Sequence, residues 1–248
     1  MIYLKNLHEI KHIEYVNRLG ADLLSICYDY LKAGITTLEL EEIVDKFCID
    51  NKVTPSFKNY HGFPHSLCVS INDELIHGFP SSRVIKDGDI VSVDIGLNYN
   101  NYYSDAAFTK IIGKVPKSTL KLVKTTHECL YKGISKATPN NRINDISAAI
   151  QLHAEIKGFD VVRDYVGHGV GLAVHEDPKI PNYVSYGINW KLRPGMVIAI
   201  EPIVVEGSYD VYVCENNWTV ITKDHKLSAH FEHSVAITEN GPIILSKK

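Results

Sequence analysis

The chain has 248 residues, of which 45% are hydrophobic and 22% are charged, with a net charge of −3 and a pI near 6.4. This composition is typical of a globular protein, and the scattered Lys and Arg residues exclude the concentrated basic surface of a nucleic-acid-binding protein. The amino terminus is polar and no apolar run approaches the length of a membrane span, so we expect neither an export signal nor a membrane partner. Five widely spaced cysteines without a C-x-x-C pair favour a reducing cytoplasm.

Four helices are predicted, two in each half of the chain. Apolar residues recur at helical spacing over residues 8–32. A Thr-x-x-Glu pattern at residues 36–39 is typical of a capping box, and it starts a second helix that runs to about residue 50. Two further helices are predicted over residues 118–132 and 143–157, the last of which ends at Gly158.

The β-rich segments lie between and after these helices. Six strands are predicted, at residues 67–71, 90–97, 102–112, 197–205, 211–221 and 231–238. Residues 98–101 predict a hairpin turn between the second and third strands. The mixture of helices with paired strands indicates an α+β fold.

The two halves of the chain, roughly 1–115 and 116–248, share a weak pattern. In each half a turn glycine is followed six residues later by an acid inside an apolar strand, Gly88 by Asp94 and Gly195 by Glu201. Each acid also has a His-Gly pair upstream and a second acid downstream: His77-Gly78 and Asp105 in the first half, His168-Gly169 and Glu232 in the second. We therefore predict one catalytic domain, residues 1–248, formed by internal duplication.

The acids in these apolar strands are the main functional signal. A carboxylate buried without a partner costs several kcal/mol, so Asp94 and Glu201 need something positive nearby. Asp105 follows Asp94 across the predicted hairpin turn, where the two can face each other on paired strands. Together with Glu232 they form an oxygen-rich set that suits two divalent ions. The alternative is a set of separate ion pairs with Lys and Arg at the surface.

The segment GHGVGLAVHEDP, residues 167–178, adds histidines to this set. Three glycines in five positions disfavour a helix, and the simpler interpretation is a turn with one buried histidine. In the metal interpretation His168 is a ligand, the glycines let the backbone approach the metals, and His175 faces the substrate. A second motif, HEIKH at residues 8–12, matches a zinc-protease pattern, but it lies in a polar setting and we reject it as the metal site.

Five segments together resemble the type I methionine aminopeptidases over nearly the whole chain. They are YHGFPHSLCVSINDELIHGFP (60–80), the Asp94-x10-Asp105 spacing, GHGVGLAVHEDP, LRPGMVIAIEP (192–202) and WTVITKDHKLSAHFEHSVAIT (218–238). The resemblance implies the pita-bread fold, two pseudo-twofold-related α+β halves around a dinuclear metal site. It also implies removal of the initiator methionine from nascent polypeptides whose second residue is small. The attacking hydroxide would be activated by two divalent ions, which could be Co, Mn, Fe or Zn.

The resemblance also implies a role for each site residue. The metal ligands are Asp94, Asp105, His168, Glu201 and Glu232; the catalytic residues are His77, His175 and Glu201; the substrate-binding residues are Tyr60, His61, Phe63, Cys68, His77, His175 and Trp218. The expected partners are the amino termini of nascent polypeptides and the ribosome that carries them, and the expected state is a cytoplasmic monomer.

Phe57, Val174 and His230 depart from the residues usual in bacterial members, and we expect them to change the shape of the pocket but not the chemistry. Two alternatives remain. An Xaa-Pro peptidase of the same fold carries similar ligands but usually has an extra amino-terminal domain, whereas fewer than 60 residues precede Tyr60 here. A binding protein of the same fold typically loses ligands, whereas all five are present.

Overall fold

The structure is a computed structural model that describes residues 2–247. Its helices are α1 (Leu7–Tyr30), α2 (Thr37–Asn51), α3 (Lys117–Ile134) and α4 (Ile143–Ile156). Its strands are β1 (Thr54–Pro55), β2 (Cys68–Ile71), β3 (Glu74–Ile76), β4 (Ile90–Tyr99), β5 (Tyr102–Ile111), β6 (Asp160–Val161), β7 (Gly167–Gly169), β8 (Glu176–Ile180), β9 (Val197–Ile200), β10 (Ile203–Val205), β11 (Val211–Val213), β12 (Val220–Thr222), β13 (Ser228–His230), β14 (Glu232–Thr238) and β15 (Gly241–Ile244).

The four predicted helices are present, with ends within two residues of those expected. Helix α2 begins with the predicted capping box, in which the Thr36 backbone N–H donates to Glu39 Oε2 at 2.6 Å. No helix within residues 2–247 is long and apolar enough to cross a bilayer. Local patterning was therefore sufficient to locate the helical part of the fold.

One nine-stranded sheet contains strands from both halves of the chain. Its central order is β4-β5-β14-β9-β7-β8, and the two strands β4 and β5 come from the first half. Val91 and Val93 of β4 pack with α1 and α2, and Ile198 and Val235 pack with α3 and α4. Because side chains alternate along a strand, Asp94 points to the opposite face, which these helices leave uncovered.

The antiparallel register aligns acids across this uncovered face. Asp94 and Glu232 both pair with Ala107 of β5, one from each side. Asp105 pairs with Gly96, two residues from Asp94, so the two carboxylates are diagonal neighbours on one face. The pairing of β4 with β5 therefore accounts for the predicted meeting of these two acids.

The turn between β4 and β5 is the tight hairpin that the sequence predicts. Asn100 and Asn101 both have positive φ, 52° and 65°. Two consecutive residues of this kind define a type I′ turn, which asparagine tolerates and whose twist matches that of the flanking strands. The turn thus sets the register that places Asp94 and Asp105 on the same face.

Three predicted strands differ from the observed ones. The segment 197–205 is divided into β9 and β10 at Glu201-Pro202, because a proline has no N–H to continue the ladder. The segment 231–238 begins one residue later, at Glu232, with β13 just before it. The segment 211–221 is a hairpin of β11 and β12 instead of a single strand. The first two differences place Glu201 directly after β9 and Glu232 at the start of β14, beside the cavity described next.

Candidate active site

A cavity of about 450 Å³ opens on the uncovered face of the sheet. The twelve predicted site residues all line this cavity, so residues between Tyr60 and Glu232 meet at one place. Phe57 and Ile76 line it as well. The sequence marks Phe57 only as a departure from the family pattern. It does not predict Ile76 as a site residue, because the position of Ile76 next to His77 is its only link to the site.

The centre of the cavity holds a cluster of potential metal ligands. One ligand atom from each of Asp105, His168 and Glu232 lies within 4.8 Å of the others. The Nε2 atom of His168 is 3.7 Å from Asp105 Oδ2 and 3.5 Å from Glu201 Oε1. Asp94 joins the cluster through its diagonal position beside Asp105. The five predicted ligands therefore form one group.

Several polar atoms of this cluster have no hydrogen-bond partner within the described chain. They include Asp94 Oδ1, Asp105 Oδ1 and Glu232 Oε1, all of them inaccessible to solvent. Buried carboxylate oxygens without a donor are rare in native proteins, because each loses its hydration without compensation. Divalent cations are bound by such oxygens, so the residues present fit a metal site.

The electrostatics of the four carboxyl groups lead to the same conclusion. Burial raises the pKa of Asp94 to about 7, and burial together with the charge of Asp94 raises the pKa of Glu201 to about 8. Burial and then the neighbouring carboxylates raise the pKa values of Asp105 and Glu232 well above the usual range. Four acids this close do not ionise together unless a cation offsets their charge.

His168 is oriented as a metal-binding histidine would be. Its Nδ1 is 2.9 Å from the carbonyl oxygen of Gly169, so we assign the ring proton to Nδ1. The Nε2 lone pair then faces Asp105 and Glu201. Burial lowers the pKa of His168 to about 3, which keeps the ring neutral and able to donate that lone pair to a cation.

Two glycines of GHGVGLAVHEDP have a packing role that the sequence did not predict. A Cβ at Gly167 would collide with the carbonyl oxygen of Ala199, and a Cβ at Gly169 with the carbonyl oxygen of Asp177. Strand β7 lies between β8 and β9, so these glycines allow close packing of strands. That these glycines also let the backbone approach the metals stays a prediction.

The turn after β7 is held by an ion pair that the sequence did not reveal. Glu176 Oε1 accepts hydrogen bonds from the backbone N–H groups of Leu172 and Ala173, at 2.7 and 3.2 Å. Its other oxygen, Oε2, lies 2.6 Å from Nζ of Lys5, whose side chain is only 1% exposed. The amino-terminal segment thus anchors the loop that carries His175.

His77 and His175 reach the cavity from different elements. His77 follows β3 with a positive φ of 57°, a strained conformation for a residue other than glycine. Burial lowers the pKa of His77 to about 4, so it stays neutral. The Nδ1 of His175 lies 3.0 Å from the Tyr60 hydroxyl, and its ring contacts that of His168 at 4.3 Å. Both imidazoles are therefore available beside the ligand cluster.

An apolar cleft adjoins these groups. Phe57, Phe63 and Cys68 form its buried part, and Val174 packs with them. The ring of Trp218 meets that of Phe63 edge to face at 5.1 Å. Burial raises the pKa of the Cys68 thiol well above its usual value, so Cys68 is an apolar wall and not a nucleophile. The cleft offers apolar and aromatic surface next to the ligands, with Phe57 among its lining residues.

Comparisons with known proteins agree with this site. The chain matches Metallopeptidase family M24 over residues 11–239. A methionine aminopeptidase from Clostridium perfringens is 49% identical over 246 residues, which cover 99% of each chain. The crystal structure of a methionine aminopeptidase from Thermotoga maritima superposes with a TM-score of 0.97 at 44% identity, covering 100% of both chains.

A prolidase from Pyrococcus furiosus shares the architecture at lower similarity. Its TM-score is 0.80 at 25% identity, and this chain covers 65% of its length. The match to the methionine aminopeptidases extends instead from end to end, so these likenesses confirm the pita-bread fold and distinguish between its members. The chain belongs to metallopeptidase family M24 and, within it, to the methionine aminopeptidases.

Proposed function

We propose that this protein removes the initiator methionine from nascent polypeptides whose second residue is small, in the cytoplasm and as a monomer. The observation that carries the proposal is the set of buried, unpartnered carboxylate oxygens beside an apolar cleft. A metal-binding cluster supports hydrolysis, and the cleft supports recognition of one apolar side chain. We include the ribosome among the partners because it carries the nascent chain.

Two divalent ions are the proposed cofactors, held by Asp94, Asp105, His168, Glu201 and Glu232. When bound, they would acidify water and polarise the carbonyl of the scissile bond. Co, Mn, Fe and Zn all remain candidates, because a set of four carboxylates and one imidazole accepts several divalent ions. The four negative charges match the charge of two such ions, which supports two ions instead of one.

The chain's own groups supply the proton transfers and the positioning. Glu201 takes a proton from the attacking water and passes it to the leaving amine. His175, held at 3.0 Å by the Tyr60 hydroxyl, stabilises the negative charge that develops on the carbonyl oxygen. His77, whose ring lies 6.0 Å from that of Trp218, contacts the scissile peptide.

Methionine selectivity is assigned to the apolar cleft. Tyr60, Phe63, Cys68 and Trp218 surround it, with His61 at its rim. An unbranched thioether fits an irregular aromatic cleft more easily than a branched side chain, and sulfur makes favourable contacts with ring edges. The free amino group of the substrate completes recognition and restricts cleavage to chain ends. We assign this function to one catalytic domain of two like halves, since β4, β5, β7, β9 and β14 of one sheet carry or adjoin the five ligands.

The proposal is tested with metal-stripped protein and short peptides. Met-Ala-Ser and Leu-Ala-Ser are incubated with the protein after one metal at a time, Co, Mn, Fe or Zn, is returned, and released amino acid is measured. We expect no activity without metal, and faster release of methionine than of leucine by at least about tenfold. Equal rates would refute the assignment of the methionine pocket while leaving the metal site intact.

The same assay separates the aminopeptidase from a prolidase-like enzyme. Leu-Pro is added as a third substrate, and we expect it to be cleaved far more slowly than Met-Ala-Ser. Efficient cleavage of Leu-Pro would instead indicate an Xaa-Pro specificity on the same fold.

A further inference from the structure

His230 is a buried imidazole beside the ligand cluster for which the proposed mechanism has no use. It is 1% exposed, and its Nε2 has no hydrogen-bond partner within the described chain. Its backbone is fixed, because its N–H donates to Thr109 Oγ1 at 2.9 Å and its carbonyl oxygen accepts from the same hydroxyl at 2.7 Å. A buried ring nitrogen of this kind is costly unless it meets a polar group.

The nearest polar groups are two of the proposed ligands. His230 Nε2 lies 3.8 Å from Glu201 Oε2 and 4.0 Å from Glu232 Oε2. On its other side, Glu201 presents Oε1 to His168 Nε2 at 3.5 Å. The Glu201 carboxylate therefore lies between two imidazoles, and each of its oxygens faces one of them.

We propose that His230 is a positioning residue for Glu201: its Nε2–H donates to Glu201 Oε2 and leaves Oε1 directed toward His168. Hydrogen bonds around catalytic groups are often long in the free protein and shorten when the site is loaded, so 3.8 Å is compatible with this contact. Carboxylate ligands are commonly oriented by such outer donors, whose loss weakens metal binding. The inference rests on the proposed function, because it takes Glu201 as a ligand.

Two nearly isosteric variants isolate the hydrogen-bond donor. His230→Gln retains an N–H at similar reach, whereas His230→Met retains length and volume but cannot donate. Mn²⁺ is titrated into each metal-stripped protein by calorimetry. We expect the Gln variant to bind within about threefold of the unmodified protein and the Met variant to bind about 10- to 100-fold more weakly.

His233→Met serves as the matched control. His233 is a half-buried histidine next to Glu232, but its ring contacts Ser246 at 2.8 Å and Tyr131 at 3.5 Å on the other side of the strand. We expect its replacement to lower thermal stability without changing Mn²⁺ affinity. If His230→Met does not fold, His230→Asn, which keeps an N–H donor, is compared with His230→Leu, which has none.

A spectroscopic measurement distinguishes an outer donor from a direct ligand. Pulsed EPR of the Mn²⁺-loaded protein counts coordinated imidazole nitrogens, and we expect one, unchanged in His230→Gln. Two imidazoles, with one lost in His230→Gln, would overturn the positioning role, as would equal Mn²⁺ affinity of the Gln and Met variants. If the unmodified protein binds no Mn²⁺, the proposed function itself fails, which is a different result.

Discussion

The protein contains two pairs of histidines with similar local geometry and different surroundings. The rings of His8 and His12 meet at 4.5 Å and 66°, and those of His168 and His175 meet at 4.3 Å and 62°. The first pair lies on α1 near the surface, whereas His168 is buried among four carboxyl groups. The contact between two imidazoles therefore does not indicate metal binding. The second pair is distinguished by the unpartnered carboxylate oxygens around His168.

The HEIKH motif has a structural explanation. Its Glu9 is already occupied at the start of α1, where Oε2 accepts from the Asn6 backbone N–H at 2.8 Å and Oε1 accepts from the Tyr3 hydroxyl at 2.9 Å. His12 stacks on Tyr102 at 4.8 Å. The pattern that resembles a zinc helix is thus a capping box followed by a surface-packing histidine. This arrangement supports its rejection as the metal site.

The strongest test of the comparison is His168→Ala. The substitution removes the buried imidazole that faces Asp105 and Glu201, and leaves their charges without that ligand. We expect metal affinity and turnover both to fall by about 10³-fold, which corresponds to roughly 4 kcal/mol. Metal analysis of the purified variant and peptide assays measure the two effects. Full retention of both ions would contradict the assignment.

Lys5→Met tests the anchor of the loop that carries His175. Removing the ammonium leaves Glu176 partly buried and unpaired, so we expect a loss of about 3 kcal/mol in the free energy of unfolding. Activity should fall by about tenfold because the loop is less well ordered. Chemical denaturation and peptide assays measure both. Lys46→Met, which breaks the exposed pair with Asp50, is the control and should change stability by less than about 0.5 kcal/mol.

The buried cluster also predicts how the stability of the metal-free protein depends on pH. In the folded protein the pKa is raised to about 7 for Asp94 and to about 8 for Glu201. Their contribution to the free energy of unfolding is therefore complete below about pH 4 and is lost as the pH rises through the folded-state pKa values. The histidines whose folded-state pKa values are lowered by burial act oppositely, and their effect ends about one unit above the unfolded value of 6.5: His77, His127, His168, His175, His230 and His233.

Above about pH 7.5 these histidines are neutral in both states and the carboxyl groups dominate, so we expect the free energy of unfolding to fall by about 1 kcal/mol between pH 7.5 and 8.5. Denaturation at several pH values measures the slope. Saturating Mn²⁺ should abolish it, because bound cations hold the carboxylates ionised. A slope that persists with Mn²⁺ would show that the raised pKa values belong to groups other than the ligands.

The smallest effect is expected at the other histidine pair. Replacing His8 and His12 together by alanine removes a surface contact, so stability should change by at most a few tenths of a kcal/mol and metal-dependent activity should be retained. Thermal unfolding and metal analysis check this. Loss of metal in this variant, with retention in His168→Ala, would reverse the comparison and restore the zinc-helix interpretation.

The sequence by itself determined the features that depend on near neighbours. Periodicity and capping located α1 to α4, and the asparagine turn aligned Asp94 with Asp105, because helices and tight hairpins follow local propensity. The ligand and pocket residues were named through the resemblance of whole segments to a known family. The structure places all of them around one cavity, and their individual roles stay predictions.

Only the tertiary structure decided the features that join distant parts of the chain. The ion pair of Lys5 with Glu176 spans 171 residues, and the approach of His230 to Glu201 depends on how β10 and β13 meet. The interruption at Pro202 and the packing role of Gly167 are also invisible in strand periodicity. A sequence pattern reports which side chains share a face, whereas contacts between elements arise from packing that no local pattern encodes.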